Sequence, residues 1–320
     1  MTNLKKIGLT ALAGSLVAVS ANAGSMSVSG TAKVSYTNED HDTLQGSPFG
    51  MEKYVSFSGS GDVAETDMSV SLFYSMLLKD SPSASTAYVS LDMGDMGVLK
   101  FNQDTGALGA DIIDDVMPTA GEEIWDGLTS DAGRIGSTGS NGFNWTLPTM
   151  VDGLVINAAY AKGGDADDGG SGSTDGSDRS FAAVYTGIEN LNIGVGHGTN
   201  SDTTNDSDSH QTMYAKYTFG NFEIGAATTE VDYATNNSTA DEEGTQFGIA
   251  YNVNENLSIS YGERETDITG TALDEEISGI AATYTMGGMA LKFHANEVEN
   301  LAGAAASKDE HTEISVTFAF

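Results

Sequence analysis

The sequence predicts an all-β protein: a transmembrane, up-and-down antiparallel β-barrel of about sixteen strands. Three observations predict this fold class. Apolar and polar residues alternate along most of the 320-residue chain, short turns alternate with long acidic loops, and 39 Gly accompany only 4 Pro. After the N-terminal leader, no stretch reaches the roughly 18 apolar residues of a transmembrane helix. A membrane span must therefore consist of strands.

The first 23 residues are predicted to be a signal peptide. Two lysines precede an apolar run at 7–19, and Ala-Asn-Ala at 21–23 places small residues at the two positions that signal peptidase recognises. The apolar run is short for a membrane span, and a buried N-terminal helix is the alternative. We expect an exported mature chain with one domain at 24–320.

The start of the mature chain shows the alternation most clearly. Polar residues, mostly Ser and Thr, separate six apolar or small residues: Met26, Val28, Gly30, Ala32, Val34 and Tyr36. A period of two places the two sets on opposite faces of a strand, whereas a helix would scatter both sets around its circumference. The pattern returns at 55–59, 68–76, 87–93, 154–160, 213–219, 247–253, 257–261, 289–295 and 314–320.

The connections between these segments fall into two alternating classes. The tight class comprises 62–64, 93–97, 151–153, 189–190, 220–221, 254–256 and 287–288. The long, polar and acidic class comprises 39–50, 103–132, 163–179, 200–210, 234–243, 267–274 and 298–310. This alternation is typical of a meander with one short-loop end and one long-loop end.

The apolar face is predicted to point outward. About sixteen strands closed into a water-soluble barrel would enclose an interior too wide for side chains to fill. Apolar residues facing lipid and polar residues lining water remove that difficulty, and closure pairs every strand edge, as hydrocarbon requires. A secreted soluble β-protein, such as a sandwich or repeat, is the competing interpretation.

Charge and composition exclude several functions. With 46 Asp and Glu against 13 Lys and Arg, the net charge of −33 repels nucleic-acid phosphates. The absence of Cys excludes disulfides, thiolate zinc sites and a Cys nucleophile. No Gly-x-Ser-x-Gly elbow or P-loop occurs. No two histidines are closely spaced in the sequence, so no enzyme is predicted; they are His41, His197, His210, His294 and His311.

With these features in place, the chain resembles the general porins of Gram-negative bacteria, especially those of α-proteobacteria. The resemblance rests on the Ala-Asn-Ala leader, the Gly-Ser/Thr first strand, Asp104-Thr105-Gly106-Ala107-Leu108 opening the longest loop, and a last strand ending in Phe320. It implies a sixteen-stranded homotrimeric diffusion channel in the outer membrane, in contact with lipid and lipopolysaccharide. It also implies that the third long loop folds into the lumen, with its acids facing basic residues of the wall.

The longest loop, 104–132, is the predicted constriction. It carries eight carboxylates and no Lys or Arg: Asp104, Asp111, Asp114, Asp115, Glu122, Glu123, Asp126 and Asp131. Its apolar residues, such as Ile113, Ile124 and Trp125, indicate packing against the inner wall rather than a free surface loop. Clustered acids favour cations over anions. For any individual carboxylate, solvated loop surface is the alternative.

Few basic residues can oppose this loop. Lys33 lies on the polar face of the first strand, and Arg134 directly follows the loop. Arg264 is a further pore-wall candidate of lower rank, together with Lys53, Lys100 and Lys216, and the facing of Lys53 and Lys100 is ambiguous. The dense arginine cluster of the family is not reproduced. We therefore predict cation preference rather than a strong transverse field.

The other long loops carry acids without a specific metal pattern. They are Asp165, Asp167, Asp168, Asp175, Asp178, Asp202, Asp206 and Asp208. Carboxylate oxygens suit Ca²⁺ or Mg²⁺, but EF-hand spacing fails because glycines occupy ligand positions. We predict no cofactor, with weak Ca²⁺ or Mg²⁺ binding at these loops left open.

The predicted function is passive diffusion of small hydrophilic solutes and ions through a water-filled channel. Two alternatives stay open at this point. One is a substrate-specific outer-membrane channel, and the other is a secreted acidic Ca²⁺-binding β-protein.

Overall fold

A computed structural model describes residues 24–39, 47–79, 83–103, 108–130, 132–135, 141–162, 177–201, 207–234 and 239–320. The predicted leader at 1–23 lies outside them. Within the described ranges, sixteen strands form one sheet. They are β1 (Met26–Glu39), β2 (Phe49–Asp62), β3 (Ser69–Leu77), β4 (Ser83–Asp92), β5 (Val98–Asn102), β6 (Gly142–Thr146), β7 (Leu154–Lys162), β8 (Ser177–Ile188), β9 (Leu191–Ser201), β10 (Ser207–Phe219), β11 (Phe222–Asp232), β12 (Glu242–Asn252), β13 (Leu257–Ile268), β14 (Glu275–Met286), β15 (Met289–Glu299) and β16 (Lys308–Ala319).

The sheet is a closed barrel in which every strand pairs antiparallel with its sequence neighbours. The last strand, β16, closes the barrel by pairing with β1, with Val34 opposite Val316. The C-terminal Phe320 continues this seam. Its backbone exchanges two hydrogen bonds with Gly30, at 2.7 and 3.0 Å, and its ring covers the space that a side chain at Gly30 would fill. The predicted fold class and strand number are confirmed.

The two faces of the strands differ as the alternation predicts. Val28, Val34 and Phe318 are among many large apolar residues that are exposed on one face, which we call the outer face. The other face encloses the interior and carries Ser, Thr, Asn and charged residues. Leu301–Gly303, Gly94–Met96 and Gly109–Ile113 are short 3₁₀ helices. No helix in the described ranges is long and apolar enough to cross a membrane.

The connections keep the predicted two classes. Gly220 and Asn221 alone join β10 to β11, and Phe219 pairs with Phe222 across the turn. Gly220 has a positive φ of 57°, as a two-residue hairpin turn requires. Six of the seven predicted long loops overlap strands of the described chain; β12, for example, begins at Glu242 and β16 begins at Lys308. The residues that these earlier strand starts add include two carboxylates of the functional site, Glu242 on β12 and Asp309 on β16.

Candidate functional site

The segment between β5 and β6 lies against the inner face of the barrel. We call the described residues 108–130 and 132–135 the β5–β6 segment. It begins with a buried 3₁₀ helix, Gly109–Ile113. The Gly109 N–H donates to Asn144 Oδ1 on β6 at 2.9 Å, and the Ala110 N–H donates to Ser180 Oγ on β8 at 3.2 Å. Two inward-facing side chains thus fix its start.

The middle of the β5–β6 segment lies over a row of glycines. Four inner-face glycines pair directly with one another across β11–β14: Gly225, Gly248, Gly262 and Gly279. A Cβ at Gly225 would lie 2.7 Å from Pro118 Cδ, and a Cβ at Gly262 would lie 2.7 Å from Ile124 Cγ2. Both separations are too short for carbon atoms. We call these four glycines the glycine row. Because they have no side chains, the segment can pack directly against the strands.

Apolar side chains of the segment pack onto the same wall. Ile113 joins a buried cluster with residues of β8, β10 and β11. Ile124 and Trp125 pack with Ile277 and Val298 of β14 and β15. The apolar residues that distinguish this loop in the sequence are therefore buried contacts.

Three buried carboxylates of the wall hold the end of the segment. They lie at the start of alternate strands, β12, β14 and β16, and are Glu242, Glu275 and Asp309, each at most 8% exposed. Asp309 Oδ2 accepts hydrogen bonds from the Thr129 N–H at 2.8 Å and the Thr129 hydroxyl at 2.9 Å. Glu275 accepts from the Ser130 hydroxyl, and Glu242 accepts from the Gly133 N–H. These anchors are not predicted by the sequence patterns; the available signal was an acid at an inward position beginning a strand.

The first described carboxylates of the segment have different environments. Asp111 is half-buried, and Asp115 is exposed. Asp114 has a side chain that is 9% exposed, and it accepts from Arg134 Nη2 at 3.4 Å and from the Ile135 N–H at 3.3 Å. Burial, reinforced by the negative charge of Asp115, raises the pKa of Asp114 to about 6. Asp114 is thus a structural link, whereas Asp115 faces water.

Glu122, Glu123 and Asp126 form a compact group of half-buried carboxylates, with ligand oxygens within 4.8 Å of one another. Burial, followed by the charge of Asp126, raises the pKa of Glu123 to about 7. Burial, followed by the charge of Glu122, also raises the pKa of Asp126. Burial opposes ionisation of Glu122, but Lys292 at 2.7 Å outweighs it and lowers the Glu122 pKa. These carboxylate oxygens are ligand atoms of the kind that a hard cation such as Ca²⁺ or Mg²⁺ prefers.

The predicted basic residues do not form one patch. Lys33 lies on the inner face and pairs with Glu313 at 2.7 Å. Arg134 lies beside Asp114, with its guanidinium 5.0 Å from the Trp125 ring. Arg264 is only 4% exposed and lies on the inner face, 5.3 Å from the same ring. Arg134 and Arg264 thus support the β5–β6 segment itself rather than opposing it.

The register resolves the lysines of ambiguous facing. Lys53 pairs with Ala32 and lies on the outer face. Lys100 pairs with Asn144 on the inner face, with its ammonium 4.6 Å from the Tyr88 ring centroid. Lys216 also lies on the inner face and pairs with Glu223 at 3.1 Å.

Several predicted residues lie outside the described part of the chain. Asp104 and Asp131 of the predicted constriction are among them, as are most acids of the loops at 163–179 and 200–210. Asp178 and Asp208 fall within the described strands β8 and β10.

Two histidines that are far apart in the sequence meet in the barrel. His294 Nε2 and His311 Nδ1 are 3.0 Å apart, on the inner faces of β15 and β16. The sequence showed no closely spaced pair, because this contact depends on the register of two strands rather than on local spacing.

The comparisons with known proteins agree with this architecture. The family profile described as Gram-negative porin matches residues 8–303. No curated protein sequence matches the chain. Among solved structures, an anion-selective porin from Comamonas acidovorans has a TM-score of 0.68 at 13% identity, covering 93% of this chain and 100% of that one.

Two further structures show the same fold. OmpF of Salmonella typhi, solved with daunomycin, has a TM-score of 0.69 at 15% identity, covering 93% of this chain and 98% of that one. A mutant of the Rh. blastica porin has a TM-score of 0.66 at 14% identity, covering 92% and 100%.

Proposed function

The chain belongs to the Gram-negative porin family, and on that premise we propose that it forms a water-filled, cation-preferring channel through the outer membrane. The porin fold and family are those of passive channels rather than enzymes. Small hydrophilic solutes and ions would cross without losing their hydration to hydrocarbon. The exposed apolar outer face would contact lipid, and the polar inner face would line the passage.

The constriction in this proposal is the β5–β6 segment. Its support is the position of the segment over the glycine row, where it occupies part of the barrel interior. The water-facing edge would be formed by Asp115, Glu123 and Asp126, together with Asp111. Asp114 and the buried wall carboxylates would position this edge rather than contact ions.

One observation carries the cation preference: acids of the segment outnumber the bases near them, and those bases are already paired. Lys292 pairs with Glu122, Arg134 with Asp114 and, at 3.8 Å, with exposed Asp115, and Lys33 with Glu313 of the wall. The charges of Glu123 and Asp126 have no such basic partner within salt-bridge distance among the described residues. A net negative edge attracts cations and repels anions. The likeness to an anion-selective porin concerns the fold alone and leaves this argument unchanged.

The test is the reversal potential of the purified channel in planar bilayers under a KCl gradient. Changing Asp115→Asn together with Glu123→Gln should lower the cation-to-anion permeability ratio. The matched control is Glu265→Gln with Glu276→Gln, because these two acids face each other on the outer face. An equal reversal potential in the wild type and the inner variant would remove the segment from the ion pathway.

We also propose that the protein acts as a homotrimer in outer-membrane lipid and lipopolysaccharide after removal of residues 1–23, without a required cofactor. The family supports the assembly, and the leader pattern supports the export. Cross-linking of the detergent-extracted protein and N-terminal sequencing of the mature chain test these points. A monomer, or a mature chain still beginning at Met1, would contradict them.

A further inference from the structure

Two buried histidines form a hydrogen-bonded pair beneath the β5–β6 segment, and we call His294 and His311 the histidine pair. The nitrogens His294 Nε2 and His311 Nδ1 are 3.0 Å apart, a distance at which one ring donates a hydrogen bond and the other accepts it. The ring centroids are 5.0 Å apart, and the two residues are only 4% and 5% exposed. Passive diffusion does not require this contact.

The geometry of the histidine pair limits the number of protons that it can hold. In the neutral state, one of the two facing nitrogens carries a hydrogen and the other accepts it. One additional proton leaves this hydrogen bond intact, because one ring becomes an imidazolium and the other still accepts. A second additional proton places an N–H on both facing nitrogens. The hydrogen bond is then lost, and two positive charges face each other across 3.0 Å.

The backbone of the segment lies directly over one of these rings. A Cβ at Gly127 would overlap the His311 ring, so only a residue without a side chain fits there. Gly127 also has a positive φ of 81°, which glycine adopts without strain. Asn296, opposite His311 on β15, donates to the carbonyls of Glu123 and Asp126 at 3.1 and 2.9 Å. The histidine pair thus belongs to the surface that supports two acids of the water-facing edge.

On the premise that the segment is the proposed constriction, we propose that the histidine pair positions it and releases it in acid. With at most one additional proton, the bonded rings form a fixed contact surface for Gly127. With two, the rings repel each other, and a His311 ring that turns away from His294 displaces the Gly127 backbone. Both histidines are positioning residues, because they act on the passage through the segment and need not contact an ion.

The charges around the histidine pair separate the first additional proton from the second. The charged residues that neighbour the pair in the strand register or on the segment are Lys33, Glu39, Lys292, Asp309, Glu313, Glu122, Glu123 and Asp126. Glu313 is paired with Lys33, and Glu122 with Lys292, each at 2.7 Å. The carboxylates favour the first proton, whereas the lysines and the first proton itself oppose the second. Imidazole ordinarily takes up a proton near pH 6.5, so we expect release only in more acidic solution.

Trp125 can report the position of the segment without ion flow. It is 5% exposed and packs with Ile277 and Val298 of the wall. The chain has only one other tryptophan, Trp145 on the outer face, so Trp145→Phe leaves Trp125 as the single fluorophore. We expect acrylamide quenching of this barrel, refolded in detergent, to increase at least twofold between pH 7.5 and 4.5. Single-channel conductance should fall over the same range, because the segment leaves the wall.

Histidine variants in the same Trp145→Phe background separate the pair from other groups that titrate. In His294→Gln and in His311→Gln, only one imidazolium can form, so the increase in quenching should be absent. The control is His197→Gln, which changes a histidine of the outer face beside Phe181 and should keep the increase. Heat-dependent gel migration shows whether each variant has folded.

Two results would overturn the proposal. One is Trp125 quenching that does not change with pH in the barrel with both histidines, a measurement that needs no histidine variant. The other is an equal increase in a folded histidine variant, which would assign the release to carboxylates. A channel that prefers cations but shows pH-independent quenching would lose only this inference. A barrel without cation preference whose quenching depends on the histidine pair would lose only the proposed ion preference.

Discussion

Replacing Gly262 by alanine is expected to displace the β5–β6 segment toward the channel axis. The new Cβ would lie 2.7 Å from Ile124 Cγ2, whereas non-bonded carbons prefer about 3.5–4.0 Å. A shift of about 1 Å is therefore required. Ile124 cannot supply it by rotation alone, because its β-branched side chain has few rotamers and is buried with Trp125, Ile277 and Val298.

Both the loss of stability and the change in conductance caused by Gly262→Ala can be measured. Forcing an extra methyl group into a packed contact costs about 1–3 kcal/mol, which should lower the temperature at which the folded barrel changes its gel migration. A segment moved off the wall narrows the passage, so single-channel conductance should fall. Uptake into liposomes should slow more for larger sugars than for smaller ones.

A second substitution separates steric displacement from other effects of alanine. Ile124→Ala removes the clashing atom, and the next nearest atom to the Gly262 Cβ position is the Phe247 carbonyl oxygen at 3.4 Å. The double variant should therefore regain conductance relative to Gly262→Ala, so the two substitutions should not be additive. Gly59→Ala is the control, since its Cβ would have only an ordinary contact at 3.7 Å with Ser25. The reasoning is refuted if Gly262→Ala conducts like the wild type, or if the double variant conducts no better than the single one.

Three further predictions concern the anchor, the pH response and the two faces. Asp309→Ala removes the acceptor of two hydrogen bonds, each worth about 1.5–3 kcal/mol when the acceptor is charged. Protease cleavage within the β5–β6 segment should therefore be faster in this variant. The control is Glu310→Ala, which changes an exposed residue and should leave the cleavage rate unchanged. Because the pKa of Glu123 is raised to about 7, acidification from pH 8 to 6 should reduce cation preference, and a Glu123→Gln channel should respond less. The same raised pKa means that the folded chain binds more protons than the unfolded chain between pH 4 and 7. Protonated Glu123 therefore favours folding at low pH, and this contribution to stability is lost as the pH rises through 7. The melting temperature of Glu123→Gln relative to that of the wild type should accordingly increase with rising pH. Val34→Lys on the outer face should impair assembly, by up to about 2–4 kcal/mol near the bilayer midplane, whereas Ser35→Lys on the inner face should assemble, and equal yields of both would mean that the faces are inverted.

The barrel could be predicted from the sequence because alternation is a local property. The positions Met26 to Tyr36 alone identify a strand and its two faces, and the register confirms that Val34 meets Val316 on the outer face. Strands that flank the longest loop are less distinct, since Val98–Asn102 and Gly142–Thr146 have only five residues each. Their pairing depends on neighbours that local alternation cannot identify.

The site could be predicted only in outline, because its contacts join residues that are distant in the chain. The acids and apolar residues of the longest loop were visible in the sequence, but the anchors were not. Glu242 and Asp309 resemble the acidic surface loops that precede their strands, and only the contacts with Gly133 and Thr129 reveal buried acceptors. Lys292 was missed for the same reason: its partner Glu122 is 170 residues away.

In this arrangement, the width of the passage and its ion preference depend on different residues. The glycine row determines how closely the segment approaches the wall, while the buried acids Glu242, Glu275 and Asp309 satisfy hydrogen-bond donors at its end. Neither set faces the water at the edge, where Asp115 is exposed. A change of charge at Asp115 should therefore alter ion preference without moving the segment, whereas a change of volume at Gly262 should alter width without removing a charge. A variant at either position that changed both properties equally would show that backbone position and edge charge are coupled.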